Sequence, residues 1–73
     1  MLKGSKPAIV RKIQPISIHG QVSLDVCFAE ADDPDGAAAV ARVGEEAVPR
    51  DLEPGDRVHL HYVLGVVTAI TKD

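Results

Sequence analysis

The chain has 73 residues, of which 45% are hydrophobic and 26% charged, and its formal net charge at pH 7 is −3. This length allows one domain, residues 1–73, with a small core of Val, Ile, Leu and Ala, because the chain has one Phe, one Tyr and no Trp. The acidic balance disfavours phosphate backbones and anionic lipids, so we expect neither nucleic acid nor a membrane as a partner.

The cysteine content and the N-terminal residues bear on location. Cys27 is the only cysteine, so no disulfide can form within the chain, and a reducing cytoplasm is the expected compartment. The opening residues, MLKGSKPAIV, lack the apolar run of a signal peptide. No stretch approaches the roughly 20 apolar residues that span a bilayer. We therefore expect a soluble, unsecreted protein.

The first part of the chain predicts two strands. Residues 8–14 are rich in β-branched types, and Pro15, which cannot donate to a sheet ladder, predicts a bulge or kink after them. A turn is predicted at residues 19–20. The run VSLDVCFAE then alternates apolar and polar residues, as is typical of a half-buried strand, with Cys27 on its polar face.

The middle of the chain is ambiguous between strand and helix. Residues 30–36, EADDPDG, combine turn-forming residues with four acidic groups and predict a solvated loop. Four alanines within residues 37–43 favour a helix. A helix ending before Gly44 would be too short to be stable without strong packing, so residues 38–43 are predicted as a third strand.

The last part predicts an extended segment at residues 47–49, a tight turn at residues 53–56 and a ribbon of two strands. Along RVHLHYV apolar residues alternate with polar ones, which places His59 and His61 on one face. Gly65 permits a bend between this strand and the final run, VVTAIT.

Five or six short strands without a long helix predict an all-β fold, a small five- or six-stranded barrel of OB-like or SH3-like type. A barrel of this size has a thin core and offers a shallow surface site rather than a deep ligand cavity. Association with a partner, or with further copies in a homo-oligomer, would add stability.

The two histidines of the C-terminal strand form a candidate metal site. His59 and His61 project to the same face about 6.5–7 Å apart along the strand, which lets two imidazoles share one ion if the rings converge. Cys27 is the candidate third ligand, with His19 as the alternative, and the candidate cofactor is a divalent transition metal. A structural site takes four ligands, so the sequence favours the competing interpretation of an ordinary solvated strand.

No catalytic motif occurs in the sequence, which lacks a glycine-rich phosphate loop, a CxxC pair and a nucleophile elbow. The acidic residues Asp32, Asp33 and Asp35 lack the twelve-residue frame of an EF-hand. The basic residues near the N-terminus lack the interleaved aromatics of a single-strand-binding surface. We therefore expect a non-enzymatic protein.

Residues 41–70, ARVGEEAVPRDLEPGDRVHLHYVLGVVTAI, resemble the HypC/HupF family of small hydrogenase-maturation chaperones. The family pattern has a V…DL segment, a GD turn, a V-x-V-H strand and a final apolar strand. The matching residues here are Val48, Asp51, Leu52, Gly55, Asp56, Val58 and His61. The family holds an iron intermediate and engages partners through a cysteine directly after the initiator Met, where this chain has Leu2, and Cys27 does not match that position. The resemblance implies a small barrel that docks onto a protein partner.

Three functions are compatible with these features. The first is an accessory or chaperone-like protein that docks onto a larger protein, for example in metalloenzyme maturation. Its contact residues would be Asp56, Arg57, His59 and His61. The second is a metal- or small-ligand-binding regulatory module, with a divalent metal on His59, His61 and Cys27. The third and weakest is an oligonucleotide-binding OB domain.

Overall fold

The computed structural model describes residues 3–72 and is all-β, as the sequence predicts. The five strands are β1 Lys3–Ile18, β2 Gln21–Glu30, β3 Ala39–Gly44, β4 Arg57–Val63 and β5 Val66–Lys72. After β3 the chain forms a 3₁₀ turn, Glu45–Ala47, so the prediction of extended chain beginning at Ala47 is wrong at its first residue. These described residues contain no helix that could span a lipid bilayer.

The strands form one antiparallel sheet in the order β3-β2-β1-β4-β5. β1 is central, because its residues 3–9 pair with β4 and its residues 8–18 pair with β2. The outer strands β3 and β5 contact each other, but no strand pairing joins them within residues 3–72. The sheet is therefore not closed and a barrel is not confirmed; the six-strand alternative is wrong for this part of the chain.

A β-bulge interrupts β1 between Val10 and Lys12, not at Pro15 as predicted. Val10 is buried and Ile13 packs against the core, while Arg11 and Lys12 are both exposed. The extra residue resets the alternation, so two consecutive charged residues stay outside while both apolar neighbours point inward. Pro15 continues the strand where β4 no longer borders β1, and a missing N–H at a free edge removes no ladder hydrogen bond.

Two predicted strands differ from the observed ones in extent. β1 exceeds the predicted residues 8–14 at both ends, because β2 pairs with it as far as Ile18 and β4 as far as Lys3. The strand predicted at residues 38–43 is confirmed as β3, which pairs with β2. Tertiary pairing therefore overrides the helix propensity of the alanines.

The core lies on the inner face of the sheet. Its buried apolar side chains are Ala8, Val10, Val26, Phe28, Val43, Val58, Leu60 and Ile70. Leu60 is 0% exposed, and the alternation predicted along β4 is confirmed, with the two histidines on the opposite face. In the described part of the chain, every buried side-chain nitrogen or oxygen has a hydrogen-bond partner.

Two hairpins, β1–β2 and β4–β5, each have a two-residue turn. The β1–β2 turn consists of His19 and Gly20, with φ of 51° and 79°, and the β4–β5 turn consists of Leu64 and Gly65, with φ of 55° and 79°. Positive φ at both central residues defines a type I′ turn, which matches the twist of the flanking strands. Glycine adopts this conformation readily, whereas a leucine in it is strained.

Candidate functional site

The two histidines lie on the outer face of β4, with Arg57 at the start of the same face. His59 is opposite Pro7 of β1 and Thr71 of β5. Both histidines are half-buried, and Arg57 is exposed. The Nε2 atom of His61 lies 2.8 Å from the Oγ1 atom of Thr71. The backbone register therefore positions both imidazoles, and the Thr71 hydroxyl orients one of them.

The structure does not bring Cys27 to the histidines. Cys27 is opposite Lys12 of β1, whereas His59 is opposite Pro7, and β1 separates β2 from β4. This places the thiol roughly 15 Å along the strands and about 10 Å across them from His59. Within residues 3–72, no group of three or more His, Cys, Asp or Glu side chains could hold a metal ion. An ion on this face would thus depend on His59 and His61.

Asp56 stabilises the turn that leads into β4. Its carboxylate accepts a hydrogen bond from the N–H of Glu53 at 2.8 Å and lies 3.2 Å from the Nζ atom of Lys72. These contacts, the Glu53 N–H first, hold the pKa of Asp56 below its ordinary value. The turn is joined to β1, because the N–H of Gly55 donates to the Val10 carbonyl at 2.7 Å and the N–H of Val10 donates to the Asp56 carbonyl at 3.0 Å.

These contacts confirm the turn predicted at residues 53–56 and show that its PGD motif has a structural role. The motif attaches the start of β4 to β1 next to the bulge, and the same residues carry part of the resemblance to the HypC/HupF pattern. Asp56, expected from the sequence to contact a partner, already has two partners within the chain.

The outer face of β4 continues into an apolar hairpin tip that the sequence pattern did not predict. Val63 pairs with Val66, so both side chains lie on the face that carries the histidines. Leu64 is 68% exposed and Val66 is 62% exposed. The available signal was a leucine before Gly65, where a type I′ turn favours Asn or Asp. We define the β4 surface by its residues, Arg57, His59, His61, Val63, Leu64 and Val66.

A second candidate site lies at the end of the core, on the face of β4 opposite to the histidines. It is a depression of about 350 Å³, lined in part by Lys6, Phe28, Glu30, Asp33 and Tyr62. The Nζ atom of Lys6 lies 2.5 Å from the Oε1 atom of Glu30, and this hydrogen-bonded ion pair raises the pKa of Lys6. The only Phe and the only Tyr of the chain both line it. We call it the core-end depression.

The fold and these two sites define a small all-β protein with an open antiparallel sheet and one candidate binding surface on each face of β4. Neither protein-family models, nor curated proteins, nor solved structures give a significant match to the chain. The resemblance to the HypC/HupF family stays a prediction from the sequence, and function has to be argued from the two sites.

Proposed function

We propose that this chain is a small non-enzymatic accessory protein that docks onto a larger protein through the β4 surface. By its resemblance to the HypC/HupF family it would act as a chaperone in metalloenzyme maturation, in the cytoplasm. The observation that carries the docking proposal is Leu64, an apolar side chain that is 68% exposed on a residue with φ of 55°.

Leu64 is costly to the free protein in two ways. A non-glycine residue in the left-handed region costs about 1–3 kcal/mol, and Asn tolerates the same turn position with less strain. An aliphatic side chain at an exposed tip also leaves its surface in water. Burial of Leu64 and Val66 in an interface would contribute about 1.5–3 kcal/mol for each side chain. A docked state would therefore offset the strain, and Leu64 is not among the residues that pack against the core of the free fold.

The strand order supports the finer architecture that we propose, a partly open five-stranded barrel of OB type. β1 contributes to both halves of the sheet, and β3 contacts β5 at the two outer edges. In a barrel of this kind the interior is filled by side chains, so binding uses outer faces and loops. The β4 surface combines both, an outer strand face and a hairpin tip.

Affinity capture from the native extract tests the docking proposal. The tagged wild type is compared with a His59→Ala, His61→Ala double variant, with Leu64→Asn and with the control His19→Asn, and captured proteins and bound metals are both quantified. We expect one defined protein with the wild type and with His19→Asn, and its loss with Leu64→Asn and with the double variant. Equal recovery by all four proteins would remove the β4 surface as the contact.

A second candidate function is binding of a divalent transition metal, because His59 and His61 share one face two residues apart. Titration with Zn²⁺, Ni²⁺ and Fe²⁺ tests it through the melting temperature and the histidine resonances. Binding at this site should shift both, and the His59→Ala, His61→Ala variant should respond to none of the ions. Unchanged wild-type signals with all three ions would eliminate the metal site.

A further inference from the structure

We propose that the core-end depression binds an arginine side chain of the docked partner, with its stem against Tyr62 and Phe28 and its guanidinium at Glu30 and Asp33. This inference rests on the proposed function, because it assumes that a protein covers the β4 surface. Tyr62 lines the depression and packs against the core, whereas Val63, the next residue, lies on the outer face of β4, so the two sites lie on opposite faces of the same strand end. A partner segment seated on the hairpin tip would pass over the end of β4 to reach the depression.

Two aromatic residues, Phe28 and Tyr62, line the depression. Phe28 is buried and belongs to the core, and Tyr62 is half-buried and packs against that core. Because both rings are held by packing, they offer fixed surfaces to a ligand. A guanidinium stacks on aromatic faces. Because it is more weakly hydrated than an ammonium, it loses less hydration free energy on entering such a site.

The charges at the rim favour a cation. Two carboxylates, Glu30 and Asp33, and one ammonium, Lys6, line the depression, so its lining has one negative charge in excess. The ion pair of Lys6 with Glu30 already places a cation at this rim. Among residues 3–72, the Asp33 carboxylate forms no side-chain hydrogen bond or ion pair. It lies against Gly36 of its own loop, where its charge can pair with a cation from outside the chain.

Other occupants fit these groups less well. An apolar side chain would cover Asp33 without pairing it, which carries a desolvation penalty. An anion would meet the excess negative charge. A lysine would add a second ammonium next to Lys6, but without the planar fork that bonds a carboxylate through two N–H groups while the plane lies on a ring.

Binding can be followed by the intrinsic fluorescence of Tyr62, because the chain has one Tyr and no Trp. The probe is the peptide acetyl-Ala-Arg-Ala-amide, and its control is the same peptide with citrulline, which keeps the shape and removes the charge. Tyr62 fluorescence and the ring resonances of Tyr62 and Phe28 are followed during titration of the isolated chain. We expect saturable, millimolar binding of the arginine peptide and no saturable response to the citrulline peptide.

Three variants locate the binding. Asp33→Asn keeps the size of the side chain and should weaken binding about three- to tenfold, whereas Asp35→Asn, in the same loop, should leave it unchanged. Lys6→Met removes the competing ammonium and should tighten binding. Equal responses to both peptides, equal effects of Asp33→Asn and Asp35→Asn, or no response at all would overturn the arginine site. Such a result, alongside loss of capture by Leu64→Asn, would leave the docking proposal standing.

Discussion

The two hairpins have nearly the same backbone and different side chains. Each turns through two residues with positive φ and ends on a glycine with φ of 79°. The β1–β2 turn begins with His19 and the β4–β5 turn with Leu64. Histidine is one of the residue types enriched at positive φ, and leucine is not. Both hairpins also have exposed apolar residues near their tips, Ile18 and Val22 at 39% and 42% and Val66 at 62%, while Val63 is half-buried.

This difference shows which turn residues are suited to the backbone conformation of the fold and which are not. Both central positions of each turn need a residue that tolerates positive φ. In the β1–β2 turn, His19 and Gly20 both do. The β4–β5 turn meets the need only at Gly65 and has a strained, exposed leucine in the other position. Strain of this kind collects at functional sites, so the second hairpin is the one that we propose for binding.

The largest expected effect tests whether the two turns are as alike as their φ values indicate. Gly20→Ala and Gly65→Ala should each lower the free energy of unfolding by about 1–2 kcal/mol. A Cβ at either position meets no atom within 4 Å, so strain is the only cost. Urea denaturation measures both variants. A cost confined to one glycine would show that the turns differ in backbone and would end the comparison.

The next effect has the opposite sign. Leu64→Asn should raise the free energy of unfolding by about 0.5–1 kcal/mol, because Asn relieves the strain of the left-handed conformation. His19→Asn should change it by less than about 0.5 kcal/mol. A destabilised Leu64→Asn protein would mean that the leucine serves the free fold, and the reason to assign it to a partner would disappear.

A pH-dependent effect is expected at the base of the second hairpin, where Asp56 holds Lys72 of β5. The pKa of Asp56 is below its ordinary value of 3.8 in the folded chain. Its ionised form therefore stabilises the fold at pH above that value, and this stabilisation is lost as the pH falls through the folded pKa.

Asp56→Asn should accordingly lower the melting temperature at pH 7, and its difference from the wild type should vanish in strong acid. Asp51→Asn is the matched control, because Asp51 also contacts Lys72 at 3.2 Å but is 79% exposed in its side chain. A melting curve at each pH gives both differences. An equal loss for the two variants, or a loss that persists in acid, would contradict the role of Asp56.

The smallest effect concerns the histidine face of the same hairpin. Thr71→Val removes the hydroxyl that lies 2.8 Å from the Nε2 atom of His61. We expect a change of less than about 0.5 kcal/mol in the free energy of unfolding, as for most surface substitutions, with a clear shift of the His61 ring nitrogen resonances. Unchanged ring resonances would show that Thr71 does not orient this imidazole.

The sequence predicted well those strands whose pattern is set by burial on one face. Along β4 the alternation of Val58 and Leu60 with the two histidines is confirmed, because each inner position is filled by the core. β1 was predicted less well. Its bulge lies at Arg11 and Lys12, two adjacent charged residues that both need contact with water. The bulge was predicted at Pro15 instead, because proline cannot donate to a sheet ladder.

The candidate sites depended on information that the sequence does not carry. The distance from Cys27 to the histidines is set by the register of three strands. The core-end depression is lined by residues that lie far apart in the sequence, among them Phe28 and Tyr62. Leu64 had a local signal, an apolar residue before a glycine at a two-residue turn. Its meaning depended on knowing that φ is positive there and that the side chain is exposed.

Site-specific photo-crosslinking tests the central claim most directly. A benzoylphenylalanine is placed at position 64 in one protein and at position 19 in another, so that two similar turns carry the same reactive group. The account predicts one defined adduct from position 64, suppressed by excess unlabelled wild type but not by excess Leu64→Asn, and none from position 19. Adducts of equal yield from both positions, or from position 19 alone, would contradict docking through the β4 surface.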